Sequence, residues 1–178
     1  MTHMLLSISG HDRPGIVRDV AEALLHLHAN IEDSSMAALR GRFAMMLVVA
    51  LPEGVKLGEL KAALADLEQR TGLAVQSQPM TDEEAGIVPP EPDHVVTVHG
   101  ADKPGIVHAV TDCLAGLSVS IVDLSTRIGD DREKDGVYMM ALEVAAGDSG
   151  DSLQRKLAEV EKRLGVDIEV HELETDIL

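Results

Sequence analysis

Met4-Leu5-Leu6-Ser7-Ile8 is a short apolar run of the kind a buried strand makes, and it ends at the turn formers Gly10 and Asp12. The period then changes. Ile16, Val17, Val20, Leu24 and Leu27 fall on one helical stripe, and Pro14 stands where a first-turn proline sacrifices no hydrogen bond, so a helix is predicted from near Pro14. Asn30 to Leu39 alternates weakly, Arg40-Gly41-Arg42 reads as a turn, and Phe43 to Val49 is apolar enough for a central strand; together they predict a β-hairpin. Leu57, Leu60, Leu64 and Leu67 mark a second amphipathic helix stopped at Gly72, and Leu73 to Gln78 is a last strand. The order is βαββαβ.

The chain then repeats itself. Gly10-His11-Asp12-Arg13-Pro14-Gly15-Ile16-Val17 returns as Gly100-Ala101-Asp102-Lys103-Pro104-Gly105-Ile106-Val107, and the match runs on through Val20/Val110, Leu24/Leu114, Ile31/Ile121, Asp33/Asp123 and Ser35/Ser125. After a short acidic insertion, Met45-Met46 is paired with Met139-Met140, and Glu68 to Gly72 with Glu161 to Gly165. The second copy predicts a strand over His94 to His99, a helix from Pro104, a hairpin across Gly129 to Gly136, a helix through Leu153, Leu157, Val160 and Leu164, and a strand after Gly165. The polar stretch Gln78 to Asp93, with Asp82-Glu83-Glu84 and Pro89-Pro90-Glu91-Pro92, favours extended backbone and resists helix. The predicted division is a first domain over 1–80, a linker over 81–93 and a second domain over 94–178.

This order predicts an α+β chain of two ferredoxin-like units, each an antiparallel four-stranded sheet with both helices on one face. The uncovered faces and edges lead us to expect an intramolecular pseudo-dimer.

Charge narrows the function. With 31 Asp and Glu against 15 Lys and Arg, the net charge of −16 repels polyphosphate, and the 1% aromatic content, Phe43 and Tyr138 without Trp, leaves nothing for base stacking. Direct nucleic-acid binding is therefore not expected. One cysteine, Cys113, and a start without a charged and then apolar leader point to a reducing, cytoplasmic setting. The longest apolar run, Phe43 to Leu51, is about half of a membrane span, so no membrane partner is expected.

Asp-(Arg/Lys)-Pro-Gly-Ile-Val, joining first strand to first helix in both copies, is the most specific local signal. Proline fixes the direction of the helix, glycine allows close approach, and first-turn N–H groups carry the positive end of the macrodipole. A small carboxylate fits there, and an aspartate beside it accepts from an ammonium group, which suits a zwitterion. The plainer reading is that Asp12 and Asp102 cap their helices, worth about 1 kcal/mol each.

These residues, with Ala29-Asn30-Ile31 opening the second strand, resemble the ACT domain, a regulatory module that typically binds amino acids at domain interfaces. The stretch Asn30 to Leu39 and the proline-bearing linker are most similar to the tandem-ACT group of glycine cleavage system transcriptional repressors. That resemblance implies a ligand site at Asp12, Arg13, Pro14, Gly15, Ile16 and Asn30 in copy one. In copy two it implies Asp102, Lys103, Pro104, Gly105, Ile106 and Ser120. Binding members often carry asparagine at the loop position where both copies have aspartate, and Ser120 is shorter than the usual asparagine. The resemblance further implies a small amino acid ligand, glycine among the candidates, a transcription activator as protein partner, and pairing into a homodimer as an open option. No cofactor and no catalytic activity are implied, because two copies and a linker consume the chain. A ligand-free dimerisation module, or a regulatory piece related to ACT-bearing enzymes such as formyltetrahydrofolate deformylase, are the alternatives.

The other candidates have ordinary readings. Cys113 is predicted to be a small buried helix residue, the eight histidines to be surface residues without metal spacing, and the methionine pairs to be core filling, although they are also soft enough to touch a partner. His11 flanks the loop, but Ala101 replaces it in copy two. Asp130 to Asp135 is predicted to be a solvated hairpin tip, matching Arg40 and Arg42 in copy one.

Overall fold

The structure is a computed structural model and describes residues 2–129 and 137–173. The predicted hairpin tip Asp130 to Asp135 lies outside the described residues. The chain divides into two compact units, Met1–Ile87 and Val88–Leu178.

In the first unit β1 (Thr2–His11), α1 (Ile16–Leu25), β2 (Asn30–Leu39), β3 (Arg42–Leu51), α2 (Leu57–Thr71) and β4 (Ala74–Met80) follow the expected order, with a short helical turn α3 (Asp82–Ala85) after them. The sheet order is β2-β3-β1-β4 with every pair antiparallel. The second unit repeats it: β5 (His94–Ala101), α4 (Ile106–Gly116), β6 (Ser120–Ile128), β7 (Val137–Ala145), a 3-10 turn (Gly147–Ser149), α5 (Gly150–Leu164) and β8 (Asp167–Glu172), ordered β6-β7-β5-β8.

Alternation makes each sheet two-sided. Met4, Leu6 and Ile8 of β1 and Phe43, Met45, Leu47 and Val49 of β3 are buried under α1 and α2, which contribute Ile16, Val20, Leu24, Leu60, Leu64 and Leu67. Each large side chain fully buried this way contributes about 1.5–3 kcal/mol. Val96, Val98, Tyr138, Met140, Leu142 and Val144 do the same beneath α4 and α5. Gly72 and Gly165, at φ 72° and 65°, close the second helix of each unit, as expected of left-handed caps. The edge strands β2 and β6 are exposed along their whole length, and each is broken by a bulge, between Ile31 and Asp33 and between Ile121 and Asp123.

Strand register corrects the sequence alignment of the third strands. Phe43 faces Gly10 and Tyr138 faces Gly100, so Met45 corresponds to Met140, both buried, and not to Met139. Met46 and Met139 lie on the open faces, 52% and 37% exposed. The two aromatic residues of the chain thus occupy one structural position.

The acidic stretch after β4 also departs from expectation. The side chain of Thr81 accepts from Glu84 N at 3.2 Å, and Glu84 Oε2 accepts from Thr81 N at 2.7 Å, a reciprocal cap that makes Asp82–Ala85 helical where extended backbone was predicted. Donation from Thr81 N, and from the Thr81 hydroxyl at 2.9 Å, holds the Glu84 carboxyl below its usual range.

Candidate functional site

Both strand-to-helix corners have one backbone. Gly15 (φ 88°, ψ 0°) and Gly105 (φ 97°, ψ −5°) stand at the N-cap in the left-handed region, and no side chain caps either helix. A first turn closes behind each glycine, through Asp19 N to Gly15 O at 3.0 Å and Ala109 N to Gly105 O at 2.9 Å. The helices therefore begin at Ile16 and Ile106, two residues past Pro14 and Pro104, so the prolines precede the first turn, and Asp12 and Asp102 are not caps. The chain needs a left-handed residue between proline and helix, which moves the cap three positions past the aspartates.

Ile16 and Ile106 are each 2% exposed, so their side chains belong to the core and only their backbone is offered at the corner. Asp12, Arg13, Pro14 and Gly15 are exposed, as are Asp102, Lys103, Pro104 and Gly105. Asp12 N donates to Gly41 O at 2.9 Å, tying the first loop to the β2–β3 turn.

The loop cations are held differently. Arg13 Nη2 lies 2.6 Å from Asp19 Oδ2, while Arg18 Nη2 lies 2.7 Å from Asp19 Oδ1. Asp19 is the buried charged residue among the described residues, at 6% exposure. Its carboxyl is held below the ordinary range by hydrogen bonds from Arg18 first and Arg13 second. Sequence reasoning missed Asp19, although a charge beside Val20 on the core side of the stripe was the signal. In copy two Ala109 replaces it, and Lys103 Nζ reaches instead to Leu164 O, 3.5 Å away at the end of α5.

The remaining predicted residues lie elsewhere in their units. Asn30 pairs with Ala50, which also faces His3 at the start of β1, whereas the corner follows the other end of that strand, where Gly10 faces Phe43. From His3 to Gly10 is about 23 Å of strand. Ser120 likewise pairs with Ala145, at the His94 end of its sheet. No single unit brings its corner and its second-strand residue to one small ligand.

Two hollows on the open sheet faces also lie away from the corners. One of about 400 Å³ lies on the open face of the first sheet over Ser7, Ser9, Ala37, Ala44 and Met46. Its counterpart, about 210 Å³, lies over Thr97, His99, Ser125, Arg127 and Met139. Near the second corner, the Tyr138 hydroxyl is 3.6 Å from Met140 Sδ, and burial, followed by the Asp102 charge, raises its pKa.

Cys113 is half-buried, less enclosed than expected, and burial raises its thiol above the ordinary value. Two histidines correct the surface expectation: the side chains of His3 and His94 are 18% and 14% exposed. His94 Nδ1 is 2.7 Å from Asp93 Oδ1, and Asp93 also accepts from Ala146 N at 2.8 Å and Gly147 N at 2.6 Å. Burial opposes the Asp93 charge, but the bonds from Ala146, His94 and Gly147 outweigh it and keep the carboxyl below its usual range. Among the described residues no cluster of three His, Cys, Asp or Glu is arranged for a metal ion, and no helix is long and apolar enough to cross a membrane.

Comparison with known proteins gives a consistent result. A family model described as ACT domain matches residues 2–78 and 93–171. An unknown protein from Galdieria sulphuraria is 31% identical, with 97% of this chain and 98% of that chain covered, at a TM-score of 0.77. A chain provisionally named a glycine cleavage system transcriptional repressor is 19% identical, covers 97% of each chain and has a TM-score of 0.73, which shows a shared fold. UPF0237 protein MK1213 of Methanopyrus kandleri is 40% identical over 76 residues, 42% of this chain and 84% of its own length.

Proposed function

This chain belongs to the ACT domain family, and from that premise we propose that it is a non-enzymatic cytoplasmic regulator. It binds a small amino acid, glycine among the candidates, at its loop corners and passes that state to a transcription activator by protein contact. The observation that carries this reading is the repeated corner: a left-handed glycine leads, twice, into a helix whose first N–H groups have no side-chain cap. A carboxylate is the natural guest of such a terminus. The net charge of −16 supports action through a protein and not through DNA. The shared fold with a chain provisionally named a repressor supports the transcriptional assignment. A regulator of this kind must bind its ligand with different affinity in two states.

A second reading, a ligand-free assembly module, is favoured by the placement of Asn30 and Ser120 far from their corners. Melting of the full chain against the common amino acids at millimolar concentration separates the two readings. A ligand at 100 times its Kd stabilises by about 2.7 kcal/mol. Asp12→Ala combined with Asp102→Ala removes that shift while leaving the ligand-free Tm in place, because both side chains are exposed. A flat screen, or a shift that survives the double substitution, overturns the corner assignment.

A further inference from the structure

His3 sits near the start of β1, in register with Ala50 of β3 and Met80 of β4, neither of which carries charge. Its ring lies between two carboxylates from other elements. Nε2 is 3.4 Å from Glu32 Oε2 at the β2 bulge, and Nδ1 is 3.4 Å from Asp82 Oδ1 in the first turn of α3. Nδ1 is buried and makes no hydrogen bond.

A neutral imidazole has one N–H and one lone pair, so between two carboxylates it donates to one and turns the lone pair on the other. An imidazolium donates from both nitrogens, and each contact becomes an ion pair. Glu32 and Asp82 are the charged groups facing the ring. α3 is a single capped turn whose side chains are exposed except for half-buried Ala85, so little apolar anchoring competes with this contact in deciding where it rests.

We propose that His3 is a proton-operated strap: its protonation fastens α3, and with it the start of the segment between the two units, onto the first sheet. This goes beyond the amino acid reading and does not depend on it. Docking is stronger with the ring charged than with it neutral. In the second unit the position of His3 is taken by Asp93, whose carboxylate is satisfied by backbone N–H groups.

The test is NMR of the full chain from about pH 5 to 8.5, following the His3 ring and the amides of Asp82–Ala85. The expected result is one shared midpoint. Asp82→Asn, at a side chain 92% exposed and so safe for folding, reduces the pH-driven change in docked-to-released ratio by about two- to five-fold, the scale of an exposed ion pair. His3→Asn abolishes the response of α3. Amides of α3 that ignore pH over this range, a response that persists in His3→Asn, or an undiminished response in Asp82→Asn each overturn the proposal.

Discussion

The two corners share a backbone and differ in what restrains the loop cation. In the first unit Arg13 is pinned to its own helix by the buried Asp19, with Arg18 on the other carboxylate oxygen. In the second, Lys103 points across to the carbonyl of Leu164, where the C-terminal end of α5 favours a positive charge. Pro-Gly and the buried isoleucine therefore suffice to set the corner, and the anchoring of the cation is free to diverge. A planar guanidinium gripped at 2.6 Å is a fixed donor, while an ammonium at 3.5 Å from one carbonyl is a loosely held one.

Substitutions can break this comparison at several levels. The largest effect is expected at the paired strand glycines. A Cβ on Gly100 meets Val166 Cγ1 at 2.8 Å, Cβ at 3.1 Å and Cα at 3.3 Å, whereas one on Gly10 meets chiefly the tip of Leu73, Cδ2 at 2.6 Å. The leucine tip can swing aside and the β-branched valine cannot. Both alanine substitutions destabilise, by about 1–3 kcal/mol, with Gly100→Ala the costlier in denaturant titrations.

Next is Asp93→Ala, which strands the N–H groups of Ala146 and Gly147 and costs about 1–2 kcal/mol in the second unit alone. Because the folded carboxyl is held low, its contribution is present above the unfolded value of about pH 4 and is lost as pH falls through the folded value. Asp93→Asn should accordingly flatten the acid limb of a stability-versus-pH curve. The smallest effect is expected from Asp19→Ala, which gives the first corner the residue found in the second. The Tm falls by less than for Asp93→Ala, and Arg13 gains side-chain mobility measurable by NMR relaxation at its Nε.

Most of the architecture was legible because period and repeat agree: the 2-to-3.6 switch after Gly10 recurs after Gly100, and the same strands and helices follow. The misreadings have physical causes. Two adjacent methionines look alike whichever one faces the helices, so only the pairing of Phe43 with Gly10 and Tyr138 with Gly100 settles their alignment. The helical turn at Asp82 was signalled by Thr81 and Glu84 at capping-box spacing, but prolines further along outweighed it. Asn30 was grouped with Asp12 on the family resemblance; a βαβ crossover starts its second strand at the end where the first strand starts, which is opposite the corner.

The exchange of Phe43 for Tyr138 has a practical consequence. With one tyrosine and no tryptophan in the chain, emission excited beyond the phenylalanine absorption band originates in Tyr138 of the second unit. A single unlabelled sample can therefore report when that half melts, while circular dichroism follows both, and the gap between the two curves reads out whether the halves unfold together or in turn.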